Sequence, residues 1–98
     1  MKAFISKRAS RAADRIDARW RERGDNPAVF ASEFLEAVIR LETTNGAGQA
    51  FPTSRNPSLR RVLLPKSRCH VYFEIDPAKH RIHILQVWDG RRERGPKL

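Results

Sequence analysis

The sequence predicts an α+β fold in which a short N-terminal strand and a helical hairpin pack on a three- to four-stranded antiparallel sheet. Two observations carry that prediction. From Ala9 to Leu41 apolar side chains recur at three- and four-residue spacing, and from Arg60 onward the period changes to two. Turn residues divide the two regions and their parts: Gly24, Asn45-Gly46, Pro65, Asp76-Pro77 and Asp89-Gly90. With 98 residues, the chain is read as one domain spanning 1–98, with a modest core.

Met1 to Ile5 is an apolar run long enough for one strand. Ser6 suits a helix N-cap, and Ala9, Ala12, Ala13, Ile16 and Trp20 follow at helical spacing. Arg8, Arg11, Arg15 and Arg19 form a second, charged face of that helix, with Asp14 and Asp17 in position to pair along it. Gly24 should end it. Asn26 and Pro27 suit the cap and first position of a second helix. There Phe30, Phe34, Val38 and Leu41 make the buried stripe, Ala31, Leu35 and Ile39 widen it, and Ser32, Glu33, Glu36 and Arg40 mark the solvent side. The connection is short, so the helices should pack antiparallel. Residues 49–59, with Pro52 and Pro57 and no period, read as a loop. Arg60 to Leu64 reads as a strand. Val71, Phe73 and Ile75 alternate with His70, Tyr72 and Glu74, as on a strand with one buried face. In the last strand Ile82, Ile84 and Trp88 alternate with His83, Leu85 and Val87. Both sets are largely apolar, which predicts a strand covered on both sides. The sheet's other face should be at least partly open.

Twenty Lys and Arg against eleven Asp and Glu give a net charge of +9. A chain of that charge attracts nucleic acid or an acidic protein. Residues 49–68 are purely basic, and a second basic cluster closes the sequence. The single cysteine, Cys69, has no disulfide partner and no metal-ligand spacing around it, and reads as a buried, inert thiol. No metal or other cofactor is expected. There is no signal-peptide pattern and no run of about 18 apolar residues, so the cytoplasm is the expected location and no membrane contact is expected.

Arg61-Val62-Leu63-Leu64 enters the sheet. His70-Val71-Tyr72-Phe73-Glu74-Ile75 resembles the V-Y-Y-x-V strand of the RelE/ParE toxin superfamily. Ile82-His83-Ile84-Leu85-Gln86-Val87-Trp88, followed by Asp89-Gly90-Arg91-Arg92, resembles its I-x-I-L-x-V-W-H-x-x-R ending. The element order is similar too, and the specific part covers residues 60–95. The resemblance implies the toxin of a type II toxin–antitoxin module, held inactive in a hetero-oligomer by a cognate antitoxin whose flexible C-terminal segment folds onto it. An acidic segment of that kind would be drawn to a +9 surface. Arg8, Arg11, Arg15 and Trp20 are the candidate antitoxin contacts, beside the simpler reading of a solvated helix face.

The resemblance leaves two activities. RelE-like members cleave mRNA on the ribosome and ParE-like members inhibit DNA gyrase. Cleavage needs a base at the 2′-hydroxyl, cations around the phosphorane and an acid at the leaving oxygen. Arg92 matches the family's Arg after the last strand. Leu64 stands where an earlier Arg falls, with Lys66 and Arg68 close by. The family's Tyr or His near the C-terminus has no match in Gly95-Pro96-Lys97-Leu98. His70 and Tyr72, on one face of their strand near Lys66 and Arg68, are the candidate substitutes. His83 reads as structural. The gyrase reading asks only for an exposed basic surface, which Arg61, Arg91, Arg92, Arg94 and Lys97 supply. It is the closer match. The alternatives are the endoribonuclease and an inactive basic binding domain of the same fold, so whether the chain is an enzyme stays open here.

Overall fold

The structure, a computed structural model, describes residues 1–91 and 95–98. In chain order the elements are β1 (Lys2–Ile5), α1 (Lys7–Glu22), α2 (Val29–Thr43), β2 (Gln49–Ala50), β3 (Arg60–Leu64), β4 (Cys69–Asp76) and β5 (Arg81–Asp89). Among the described residues the sheet has five strands in the order β1-β5-β4-β3-β2. It therefore exceeds the expected three to four, and it is mixed, because β1 runs parallel to β5. The additional strand is β2, whose two residues pair with Arg61 and Arg60. Two residues are too few to show a period. None of the described helices is long and apolar enough to cross a membrane.

The helices cover one face of the sheet. Leu64, Val71, Phe73, Ile82, Ile84 and Val87 are buried there with Ala9, Ala12, Ala13 and Ile16 of α1 and Phe30, Ala37 and Leu41 of α2. The alanines let α1 approach the strands closely, and each large side chain removed from water contributes roughly 1.5–3 kcal/mol. Ser6 caps α1 by accepting the Ala9 N–H at 3.0 Å, and its hydroxyl donates to the Leu85 carbonyl at 3.1 Å. Along α1, Asp17 pairs with Arg21 at 2.9 Å. At the far end Gly24 takes a φ of +79°, as its residue type predicts.

Four details depart from the sequence reading. First, α2 starts at Val29 with no side-chain cap. Asn26 and Pro27 instead form a turn in which the Asn26 carbonyl accepts the Val29 N–H at 3.2 Å. Second, Ala31, Leu35 and Ile39 do not widen the buried stripe: Leu35 is 61% and Ile39 51% exposed, because α2 turns Phe30, Glu33, Ala37 and Leu41 inward, with Phe34 and Val38 only partly buried beside them.

Third, β5 carries a bulge. Phe73 pairs with Ile84 while Tyr72 pairs with Gln86, so Leu85 is the extra residue. One extra residue exchanges the faces of everything after it. Val87 thus joins Ile82 and Ile84 in the core, and Trp88 lies opposite His70 on the other face. β1 accompanies β5 only as far as Ile84. Beyond it, Gln86 to Asp89 share a crevice with α1, and the Gln86 side-chain oxygen accepts the Val87 N–H at 3.1 Å.

Fourth, Glu33 is not on the solvent side. It is 8% exposed, and its two carboxylate oxygens accept the backbone N–H groups of Lys66 and Ser67, each at 2.7 Å. This carboxylate fastens the β3–β4 turn to α2. The same turn is held from β5: the Gly90 N–H donates to the Arg68 carbonyl at 2.8 Å. A Cβ at position 90 would lie 2.5 Å from that oxygen, so the close approach requires glycine. Between these two anchors Arg68 adopts a φ of +58°.

Removing a charged, buried acceptor leaves two amides unsatisfied. Glu33→Ala should therefore lower the unfolding free energy by about 2–3 kcal/mol in urea denaturation. Glu36→Ala, on the exposed side of the same helix, should change it by less than about 0.5 kcal/mol.

Candidate functional site

The face of the sheet away from the helices collects one group of candidate residues. On β4, His70 and Tyr72 project together, with ring centroids 6.2 Å apart. Arg61 of β3 lies opposite Tyr72, and its guanidinium stacks over Phe51 at 4.1 Å. The Phe51 ring meets Tyr72 edge-on at 5.8 Å. The end of the chain crosses this region. The Thr53 hydroxyl donates to the Leu98 main-chain oxygen at 2.8 Å, Arg8 donates to the Lys97 carbonyl at 3.4 Å, and a Cβ at Gly95 would lie 3.9 Å from the Tyr72 hydroxyl. Between Phe51 and that segment Tyr72 is only 3% exposed. Burial, and then the positive charge of Arg61, hold the His70 pKa below its usual value, favouring the neutral imidazole.

A second group gathers at the end of the sheet. Lys66, Ser67 and Arg68 of the β3–β4 turn, Arg91 after β5, and Trp20 and Arg23 of α1's last turn surround a cavity of 230 Å³. Arg23 stacks on the Trp20 ring at 4.6 Å. Arg91 grips Asp89 with its side chain at 3.2 and 3.3 Å and with its backbone N–H at 3.0 Å, and Arg19 lies 3.8 Å from the same carboxylate. Burial raises the Asp89 pKa, but the bonds and charge of Arg91, with Arg19, outweigh it and hold the carboxyl below its ordinary range. The sequence reading placed Lys66 and Arg68 with His70 and Tyr72. Lys66 and Arg68 line this cavity and His70 does not, although its Nδ1 would lie 3.8 Å from a Cβ on Gly90, beside the Arg68 carbonyl.

A third feature is apolar. Ile5, Ala31, Phe34, Leu35 and Val38 line a groove of 270 Å³ between the helices, with Asp14 and Asp17 on its rim.

This arrangement of elements recurs in solved structures. The chromosomal ParDE TA system from P. aeruginosa superposes with a TM-score of 0.70 at 19% identity, over 91% of this chain and 95% of that one. The chain has the RelE/ParE toxin fold. The YoeB/ParE toxin from Agrobacterium tumefaciens (TM-score 0.63, 12% identity, 91% of this chain and 98% of that one) has the same fold. So does the isolated E. coli RelE toxin (0.62, 13%, 94% and 86%). No protein-family model matches the sequence, and no curated protein matches it.

On this RelE/ParE fold the candidate residues are dispersed. Arg61, His70 and Tyr72 share the sheet face away from the helices, which the sequence predicts to be partly open but which Phe51 and the chain end cover at Tyr72, while Lys66, Arg68 and Arg91 share the end cavity. Arg92 and Arg94 lie outside the described residues. Lys97 is exposed beside Arg8. Arg11 and Arg15 are exposed on α1, and Trp20 is half-buried against the core rather than presented with them. His83 pairs with Glu74 and lies beside Phe4, 6.3 Å between rings, as expected of a sheet residue. Sequence reading missed Phe51, Glu33, Asp89 and Arg23. Phe51 sits in a segment without period, and the others looked like ordinary surface or strand-end residues.

An NMR titration should give His70 a midpoint below 6.5, the ordinary value. Arg61→Gln should move it upward, since one of the two causes is gone. The sign for stability follows: the unfolded chain takes up the proton first, so acidification below about 6.5 destabilises the fold through this group.

Proposed function

We propose that the chain is the toxin of a type II toxin–antitoxin module, that it acts as a ParE-like inhibitor of DNA gyrase, and that a cognate acidic antitoxin neutralises it. The RelE/ParE fold supports the toxin part. The burial of Tyr72 carries the choice of activity. A group that moves a proton at an RNA 2′-hydroxyl has to come within hydrogen-bond reach of it. Tyr72 is covered by Phe51 and the chain end. A buried Tyr72 speaks against a cleaving role for that residue, whereas a binding inhibitor needs only exposed cations and a rigid frame; Arg92, the first candidate for cleavage, lies outside the described residues.

The groove between α1 and α2 fits the antitoxin's role. Exposed Leu35 and its neighbours Phe34 and Val38 offer anchor positions for the apolar side of an amphipathic segment, whose basic or neutral positions would meet Asp14 and Asp17, while Arg8, Arg11 and Arg15 lie outside the groove and would meet acidic residues only beyond it. Such a segment gains affinity by ordering on the toxin.

Expression of the chain alone should arrest growth. The purified protein should inhibit gyrase supercoiling and leave mRNA on translating ribosomes intact. Cleavage of that mRNA, abolished by His70→Ala, would establish the endoribonuclease instead. Absence of any growth arrest would indicate an inactive binding domain.

A further inference from the structure

We infer that the cavity where the last turn of α1 meets the β3–β4 turn is a binding site for a phosphate monoester dianion. This goes beyond the toxin reading and does not depend on it. Four of the six lining residues are cations, Arg23, Lys66, Arg68 and Arg91, and among the described residues no carboxylate lines the cavity. Two carboxylates act from outside it. Asp89 holds Arg91, at 3.2 Å, and Glu33 is engaged by the backbone amides of Lys66 and Ser67. Counting both, the surroundings keep a surplus of positive charge, to which Arg19 adds.

Ser67 supplies a second, independent observation. It lines the same cavity and is 1% exposed, yet its hydroxyl has no hydrogen-bond partner among the described residues. A buried hydroxyl is normally satisfied, so Ser67 leaves a donor beside the cationic cavity that a rotation of its side chain would offer to a bound acceptor. The volume of 230 Å³ holds a tetrahedral oxyanion with room for bridging water.

The charge count selects among oxyanions. A phosphate monoester has a second pKa of about 6 and is doubly charged at pH 7. A carboxylate or a phosphodiester brings one charge and so recovers less of the attraction of four cations. Arginine forks pair with phosphate oxygens two at a time. The frame is also fixed in advance: Glu33 and Gly90 hold the turn, Asp89 holds Arg91, and Arg23 is stacked on Trp20. Little ordering remains to be done on binding.

The test uses the full chain in thermal melting and titration calorimetry. The probes are inorganic phosphate and phenyl phosphate, with sodium chloride at matched ionic strength, acetate and dimethyl phosphate as comparisons. Both dianions should raise the melting temperature by about 4–8 °C at roughly five times their Kd, and the three comparisons should not. Arg68→Asn, which keeps a residue tolerant of positive φ, and Lys66→Gln should each weaken phosphate binding tenfold or more. Their own folding is read from the unliganded melts. Arg11→Gln, outside the cavity, should bind as the natural chain does. An equal shift with chloride or dimethyl phosphate would overturn the assignment, as would phosphate affinity unchanged in both cavity variants.

Discussion

The carboxylate of Glu33 is the interaction on which the rest of the arrangement depends. It lies on α2, yet both its oxygens are spent on two consecutive amides of the β3–β4 turn. A buried carboxylate without such partners would be costly, and two buried amides without an acceptor would be costly as well. Each therefore stabilises the other only while α2 and the turn keep their relative position. The Gly90 N–H fixes the opposite side of the turn through the Arg68 carbonyl. Asp89, one residue earlier, then orients Arg91 and approaches Arg19. Cations from three separate segments are thus brought to one end of the sheet by two carboxylates and one glycine.

The face of the sheet away from the helices is organised differently. There the constraint is aromatic and cationic stacking, Arg61 on Phe51 and Phe51 on Tyr72, closed over by residues 95–98. Burial on this face, with the charge of Arg61, favours the neutral imidazole of His70. The same fold thus presents a charged end and a largely covered sheet face. The apolar groove between the helices adds a third surface of distinct chemistry, where Leu35 stays in solvent because α2 turns only one narrow stripe to the sheet.

Much of this was legible in the sequence wherever a local signal decides the outcome. Ser6 caps α1, Gly24 follows its end, the strand through Arg60 to Leu64 stops at Pro65, and Val71 and Phe73 face the core opposite His70 and Tyr72. What escaped depends on distant partners. Glu33 has the periodicity of a solvent-side residue, and only the turn 33 positions later makes it buried. The bulge at Leu85 leaves no mark on a strand that is apolar on both sides, so Val87 and Trp88 were read on the wrong faces. Two-residue β2 is fixed by its pairing with β3 and not by its own composition. The site residues show the same division: His70 and Tyr72 fall together by strand alternation, while Lys66 and Arg68 line a cavity shared with Trp20, Arg23 and Arg91, which are distant in sequence.

Amide hydrogen exchange tests the central claim most directly. In the natural chain the amides of Lys66, Ser67 and Gly90 should exchange slowly, at rates near those of the β4 core, and in Glu33→Ala the first two should lose protection while Val71 and Phe73 keep theirs. Rapid exchange of Lys66 and Ser67 in the natural chain, or protection unchanged in the variant, would contradict the role assigned to the Glu33 carboxylate.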